Sequence, residues 1–433
     1  MTIDLGNKNK NYAIFLPAIQ QSFAEYIVSN DEEAPQNINP IDLNFLDEAN
    51  KFWTYPWCLA SAGIFVNAQK NNAIISRKSQ SSWVLGDSGG YQVGTGKLKE
   101  ITNWSNINKD VQKIKELWKE TTFINDMLRW VDCNCDYAMT LDMPLWIFEP
   151  KYKSTPFYNF TKKELLEITL NNLEYIQHNK GKFGSCKYLN VLQGLNDDDE
   201  DEWYHHVRKY KFEGWALGGS VGWKGGLTRV LRRLLILRDD GNLDPGQDFL
   251  HILGVSQINW CIALTAIQRG VQKSVNSNFK ITYDASTPFQ NSYTYQSYVA
   301  PQKYSQNLNS WKRSIVEFPN HYESVKASLN DQFCNGSPLS NILKVVDVSK
   351  PLDPFEKNFI TKFGSHALAN HNTFMMIEGF HEANLIANDK GNAPSEFNDL
   401  ISKIEQLFEL ENWNDFLEVN RDFFEYISNH QKW

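Results

Sequence analysis

Residues 83–96 read WVLGDSGGYQVGTG, and the fold turns on how that stretch is understood. Trp83, Val84 and Leu85 form an apolar run of strand length that ends in an acid, Asp87, and two glycines, Gly89 and Gly90. Such a strand end has the form of an active-site wall. The acid sits at the carboxyl end of a buried strand, and the missing side chains leave room for a flat ligand to approach the backbone. Taken alone, the stretch also fits an ordinary strand-to-loop turn.

Five further segments repeat the pattern of an apolar run with a polar or glycine tip. In chain order they are YAMTLDMP with Asp142, YLNVLQG with Gln193, GWALGGSVG with Gly218 and Gly219, FLHILGVS with Leu253 and Gly254, and FKITYDASTP with Asp284. Near-continuous apolar strands alternating with amphipathic segments indicate a parallel sheet wrapped by helices. Polar residues gathered at the strand ends point to a closed α/β barrel of the (β/α)8 TIM type, in which the carboxyl-terminal rim carries the chemistry.

A chain of 433 residues exceeds the ~250 of a bare barrel. Additions are therefore expected at both ends. Residues 1–70 hold an aromatic cluster, Trp53, Tyr55, Trp57 and Phe65, expected to form capping hairpins and the first strand. The expected division is a barrel with insertions over 1–355 and a helical region over 356–433 packed on it. The start lacks the basic and long apolar regions of a signal peptide, and no run of 18 apolar residues occurs, so a cytoplasmic location and no membrane partner are expected. Six scattered cysteines suit a reducing compartment. The acidic run from Asp197 to Glu202 reads as a helix start.

The ordered set DSGGYQ, LDMP, LQG, ALGGSVG, LGVS and YDAST resembles the tRNA-guanine transglycosylase superfamily over residues 75–290, with a weaker echo to about 380. The resemblance implies that Asp87 is a general base, that Asp142 binds the guanine edge and that Asp284 is the nucleophile. Chemistry asks for such a set in any case. Breaking an N-glycosidic bond makes an oxocarbenium-like sugar carbon, which one carboxylate can trap while a second handles the proton of the base. A guanine pocket needs a carboxylate facing N1 and the exocyclic amine, and an N–H facing O6. Asp142 suits the first role, and Gln193 and the backbone of Gly218 and Gly219 the second. Ser88 and Gly89 are expected to line the base site as well, Tyr91 to stack on the base, and Leu253 to cover its other face.

A net charge of −8 argues against indiscriminate binding of nucleic acid but leaves room for a local basic groove. Lys224, Arg229, Arg232 and Arg233, after the GGSVG strand, are expected to meet a phosphate backbone, together with Lys312 and Arg313 in the tyrosine-rich segment beyond Asp284.

Departures from the family refine the expectation. Enzymes of the family that act on tRNA follow the nucleophile with a proline-threonine-arginine segment, whereas Asp284 is followed by Ala285, Ser286, Thr287, Pro288, Phe289 and Gln290. The family's structural zinc needs three cysteines and a histidine; only Cys334 and His371 resemble those positions, so no zinc and no other cofactor are expected. The chain is most similar to the branch that exchanges guanine in DNA for a 7-deazaguanine base of the 7-cyano-7-deazaguanine type, which protects DNA from restriction and implies partner proteins of a DNA-modification system. A divergent tRNA enzyme is the alternative. A third reading is a silent subunit that only binds nucleic acid, and the presence of both Asp87 and Asp284 weighs against it.

Overall fold

Eight parallel strands form one sheet in the computed structural model, which describes residues 2–68, 71–77, 81–99, 101–102, 104, 110–219, 221–301, 303–305, 310–312, 314–356, 358–389 and 391–429. They are β1 (Ile14–Pro17), β2 (Trp57–Ser61), β3 (Trp83–Asp87), β4 (Tyr137–Met139), β5 (Lys187–Leu192), β6 (Gly214–Leu217), β7 (Phe249–Ile252) and β8 (Lys280–Ala285). Neighbours follow chain order from β2 to β8, and β8 pairs with β1. The ring then nearly closes: Ala18 bridges Leu59 in parallel, and the Ile19 N–H donates to the Leu59 carbonyl at 2.9 Å. All four residues of β1 and of β6 are buried, because barrel strands are covered inside by one another's side chains and outside by helices.

The outer layer is α1 (Gln21–Tyr26), α2 (Ala62–Phe65), α3 (Phe123–Asn134), α4 (Lys162–Asn179), α5 (Asp197–Val207), α6 (Leu227–Asp239), α7 (Ile258–Ser274) and α8 (Lys362–Ala387). Local signals start several of them. Thr161 and Glu164 form a reciprocal capping box at α4, and the Asn196 side chain accepts from the Asp199 N–H at α5. The acidic run from Asp197 therefore lies in the first turn of α5, where the helix dipole favours negative charge.

Two expectations about the ends change. The first strand lies at Ile14–Pro17, ahead of the aromatic cluster, and the short strands Ile3–Asp4 and Trp53–Thr54 pair in parallel rather than as a hairpin. The Trp53 ring instead stacks on Phe45 at 4.7 Å, and its indole N–H donates to Asn370 on α8 at 3.1 Å. At the other end, α8 belongs to the barrel. Phe380 packs against Phe15 of β1 at 4.9 Å and Tyr283 of β8 at 5.5 Å, so a division at 355/356 would separate the eighth helix from the strands it covers. Beyond it, the helix Ser395–Glu409 packs on α7, and Arg421–Asn429 packs on α6. Among the described residues no helix is long and apolar enough to cross a membrane.

Candidate functional site

A cleft of about 870 Å³ opens at the carboxyl ends of the strands, and Asp87, Asp142 and Asp284 all line it. Asp284 lies on β8 opposite Leu16 of β1. One of its oxygens, Oδ1, accepts from the Gly254 N–H at 2.9 Å and from His251 Nε2 at 3.2 Å. Gly254 takes φ +79°, a left-handed conformation that suits glycine and turns this N–H toward the carboxylate. His251 is fully buried on β7, and its Nδ1 lies 2.9 Å from the Thr282 hydroxyl. The imidazole is thus held at both ring nitrogens, by the Thr282 hydroxyl at Nδ1 and the Asp284 carboxylate at Nε2. Sequence reasoning missed His251, since a histidine inside an apolar strand reads as core.

Asp87 closes β3 opposite Ser61 of β2. Burial pushes its carboxyl above the usual range, and nearby Asp284 pushes the same way, while hydrogen bonds from the Ser61 side chain and the Gly89 backbone and the closeness of His251 pull it down. Ser88 is buried beside it. Gly89 has a different duty from the expected one. It takes φ +90°, and a Cβ there would come within 2.7 Å of the Gly63 Cα, so it makes a tight turn against another loop instead of leaving room for a ligand. Gly90 is the glycine that lines the cleft, its Cβ position 3.4 Å from Asp142 Oδ1.

Asp142 stands three residues past the end of β4, in the loop rather than on the strand. Burial raises its carboxyl to about 7, Asp87 adds to the rise, and a hydrogen bond from Gln193 opposes it. Gln193 Nε2 donates to Asp142 Oδ2 at 2.5 Å. Gly218 sits against that amide, its Cβ position 2.9 Å from Nε2, and spends its own N–H on the Leu192 carbonyl at 2.9 Å. The Gly219 N–H has no acceptor among the described residues. Leu253 lines the same wall. Tyr91, 51% exposed, stands at the lip, where it meets Trp146 at a ring separation of 5.6 Å.

The expected phosphate grip is overturned at its arginines. Arg233 is fully buried and bonded to Glu200 and Asp201; Arg229 holds Glu200 at 2.9 Å and Asp197 at 3.0 Å; Arg232 holds Asp201 at 2.6 Å. These side chains tie α6 to the acidic start of α5. Their charges are spent there, and Arg233 has no path to a polyanion. Lys224 is exposed beside Gly219, at the edge of the cleft. Arg313 lies outside the described residues, and Lys312 is described only as the end of a short strand, Ser310–Lys312.

Cys334 and His371 come together with Ser337 but do not fit a zinc site. The ring nitrogens of His371 lie 2.8 Å from Ser337 Oγ and 3.0 Å from the Val299 carbonyl, leaving neither free for a metal, and burial pushes the Cys334 thiol up. Among the described residues no group of three or more His, Cys, Asp or Glu side chains is placed to hold a metal ion. No protein-family model matches the chain, and no curated protein matches it.

Proposed function

We propose that this protein is a DNA-guanine transglycosylase that exchanges guanine in DNA for a 7-deazaguanine base of the 7-cyano-7-deazaguanine type. One observation carries the reading: three aspartates from three different strand ends share one cleft, each held by its own hydrogen-bond partners. Base exchange needs that division of labour.

Asp284, held through Oδ1, leaves Oδ2 to attack C1′ of the target nucleotide. The C1′–N9 bond breaks, its electron pair goes to the departing guanine, and a proton from Asp87 neutralises that base. The carboxyl of Asp87 keeps its proton more firmly than a solvated aspartate, as the first half-reaction requires. In the second half-reaction the incoming base gives its N9 proton to Asp87 and attacks C1′, which releases the Asp284 carboxylate. Asp142 accepts from N1–H and the exocyclic amine, and the Gly219 N–H serves O6. A base with the wrong donors leaves these buried groups unpaired, so selectivity against adenine follows.

DNA is favoured over tRNA by the segment after the nucleophile. Phe289 is fully buried against Phe23 at 5.3 Å, and Gln290 bonds to Ser286 at 2.8 Å, so neutral side chains stand where the tRNA enzymes carry their arginine. A role in protecting DNA from restriction, with partner proteins of a modification system, fits such a product. Incubation of the protein with labelled guanine and either DNA or bulk tRNA tests the reading. Label entering DNA is expected, and its loss with Asp284→Asn. Label entering tRNA alone would move the assignment to a divergent tRNA enzyme, and label entering neither would overturn it.

A further inference from the structure

We infer that the lip of the cleft formed by the loops after β3 and β4 is a track for an opened, single strand of nucleic acid; this rests on the base-exchange reading of the cleft and names how the flanking nucleotides are held. Tyr91 lies on the short helix Gly90–Gly94, Trp146 on the turn Leu145–Phe148 and Tyr152 on the next turn, Pro150–Tyr152. Their rings form a continuous series, Tyr91 to Trp146 at 5.6 Å and Trp146 to Tyr152 at 4.5 Å. Lys97 Nζ stands 5.5 Å from the Tyr91 ring centroid and Lys151 Nζ 4.9 Å from that of Tyr152.

The series is held in place by close packing between the two loops. A Cβ on Gly94 would lie 2.7 Å from Pro144 Cγ and 2.8 Å from Trp146 Cη2, so the absence of a side chain there lets the indole rest on the Gly90–Gly94 helix. Interplanar angles of 37° and 54° give no flat platform for a continuous stack. Tilted faces suit bases that have already left their stack, each lying on its own ring.

Charge indicates what lies there. Lys97 and Lys99 are exposed and line the cleft, and among the described residues neither has an acidic partner within 4 Å. Lys151 is paired with Glu149 at 2.7 Å and is the least available of the three. A free purine carries no charge that would need two lysines at the mouth. A phosphate backbone does, and in a protein of net charge −8 lysines at the lip lower the barrier to its approach. One exposed ring, Tyr91, and two half-buried ones, Trp146 and Tyr152, interleaved with cations beside a pocket that receives an extruded base, are what an opened strand needs.

Fluorescence anisotropy with labelled single-stranded DNA and RNA oligonucleotides of about a dozen nucleotides tests the inference. The protein is used as Asp284→Asn so that no turnover occurs. Trp146→Ala and, separately, Lys97→Ala with Lys99→Ala are each expected to weaken single-strand binding about tenfold, with Trp146→Phe restoring most of the loss. The lysine pair is also expected to flatten the slope of log affinity against log salt by roughly 1.4, the share of two phosphate contacts on a single strand. Affinity for free guanine, measured by calorimetry, is expected to stay unchanged in all of them. The DNA strand is expected to bind more tightly than the RNA strand, and the reverse order would contradict a track for DNA.

Unchanged oligonucleotide affinity in these variants, or no strand binding in the parent protein, overturns the track. The two readings fail separately. A protein that binds strands through Trp146 and Lys97 but incorporates no labelled guanine keeps the track and loses base exchange. A protein that exchanges guanine while the variants keep their Michaelis constant for the oligonucleotide loses the track alone.

Discussion

Asp142 shows how position sets the chemistry of a single side chain. Burial moves its carboxyl from 3.8 to about 7, so in the free protein Asp142 takes up its proton near neutral pH rather than in acid. The sign follows: its contribution to stability is full below pH ~4, and is lost as pH rises through about 7, with a linkage ceiling of roughly 4 kcal/mol. Under the proposed function guanine binding runs the other way, because only the carboxylate accepts from both N1–H and the amine. Affinity for guanine is expected to fall as pH drops below about 7, while Asp142→Asn is expected to raise thermal stability at pH 8 and to weaken guanine binding by a few kcal/mol. Calorimetric titration and thermal melts across pH 5–9 check both limbs. A flat affinity profile would remove Asp142 from the base edge.

His251 bonds to Asp284 at 3.2 Å and holds one carboxylate oxygen, which in the proposed mechanism leaves the other for the sugar. Replacing it with Leu is expected to lower the rate at saturating substrate by about 10–100-fold, the usual cost of losing an orienting hydrogen bond, without changing the Michaelis constant for the free base. Gln, which can keep a donor near Nε2, is expected to restore much of the rate. A parallel loss in base affinity would instead mark a collapse of the pocket.

At the level of elements, α5 and α6 are bound by charge inside the outer layer. Glu200 and Arg233 are both fully buried, so Arg233→Ala strands a carboxylate without its cation and is expected to cost about 3–5 kcal/mol of stability, with no change in strand affinity. Urea denaturation beside oligonucleotide binding measures the two effects separately. Weakened DNA binding in a stably folded Arg233 variant would restore the arginines to the interface. The sequence could not disclose this pairing, since Glu200 lies 33 positions before Arg233 and meets it only because consecutive barrel helices are neighbours.

Six barrel strands were legible because each ends an apolar run in a polar or glycine-rich tip that chemistry needs. β1 and β2 were not, for β1 ends at Pro17 with Ala18 after it, and β2 ends at Ser61 without the acid, amide or paired glycines that mark the other six. The three aspartates were legible for the same reason as their strands. His251 was silent because its partners, Thr282 and Asp284, belong to the adjacent strand, and the lip aromatics because Trp146 and Tyr152 reach Tyr91 only through the packing of two loops. Gly89 was read correctly as a special position and given the wrong reason: φ +90° and contact with Gly63 require glycine there whatever binds nearby.

For the whole molecule, α8 decides where the domain ends. It buries Phe380 between β1 and β8 and supplies Asn370 to the amino-terminal loops through the Trp53 indole N–H and the Leu43 carbonyl. A chain cut after residue 355 is therefore expected to be expressed as an unfolded or aggregating product, read from its circular dichroism and gel filtration, because the outer faces of two barrel strands would be bare. A monomeric, cooperatively melting fragment would place the boundary back at 355.

The chemistry of the cleft is tested most directly by mass spectrometry of the protein after incubation with a guanine-containing DNA oligonucleotide and removal of the released base. An ester on the Asp284 peptide is expected, with a mass equal to the oligonucleotide less guanine, absent in Asp284→Asn. Guanine exchange without any adduct on Asp284, or an adduct that persists in Asp284→Asn, would contradict it.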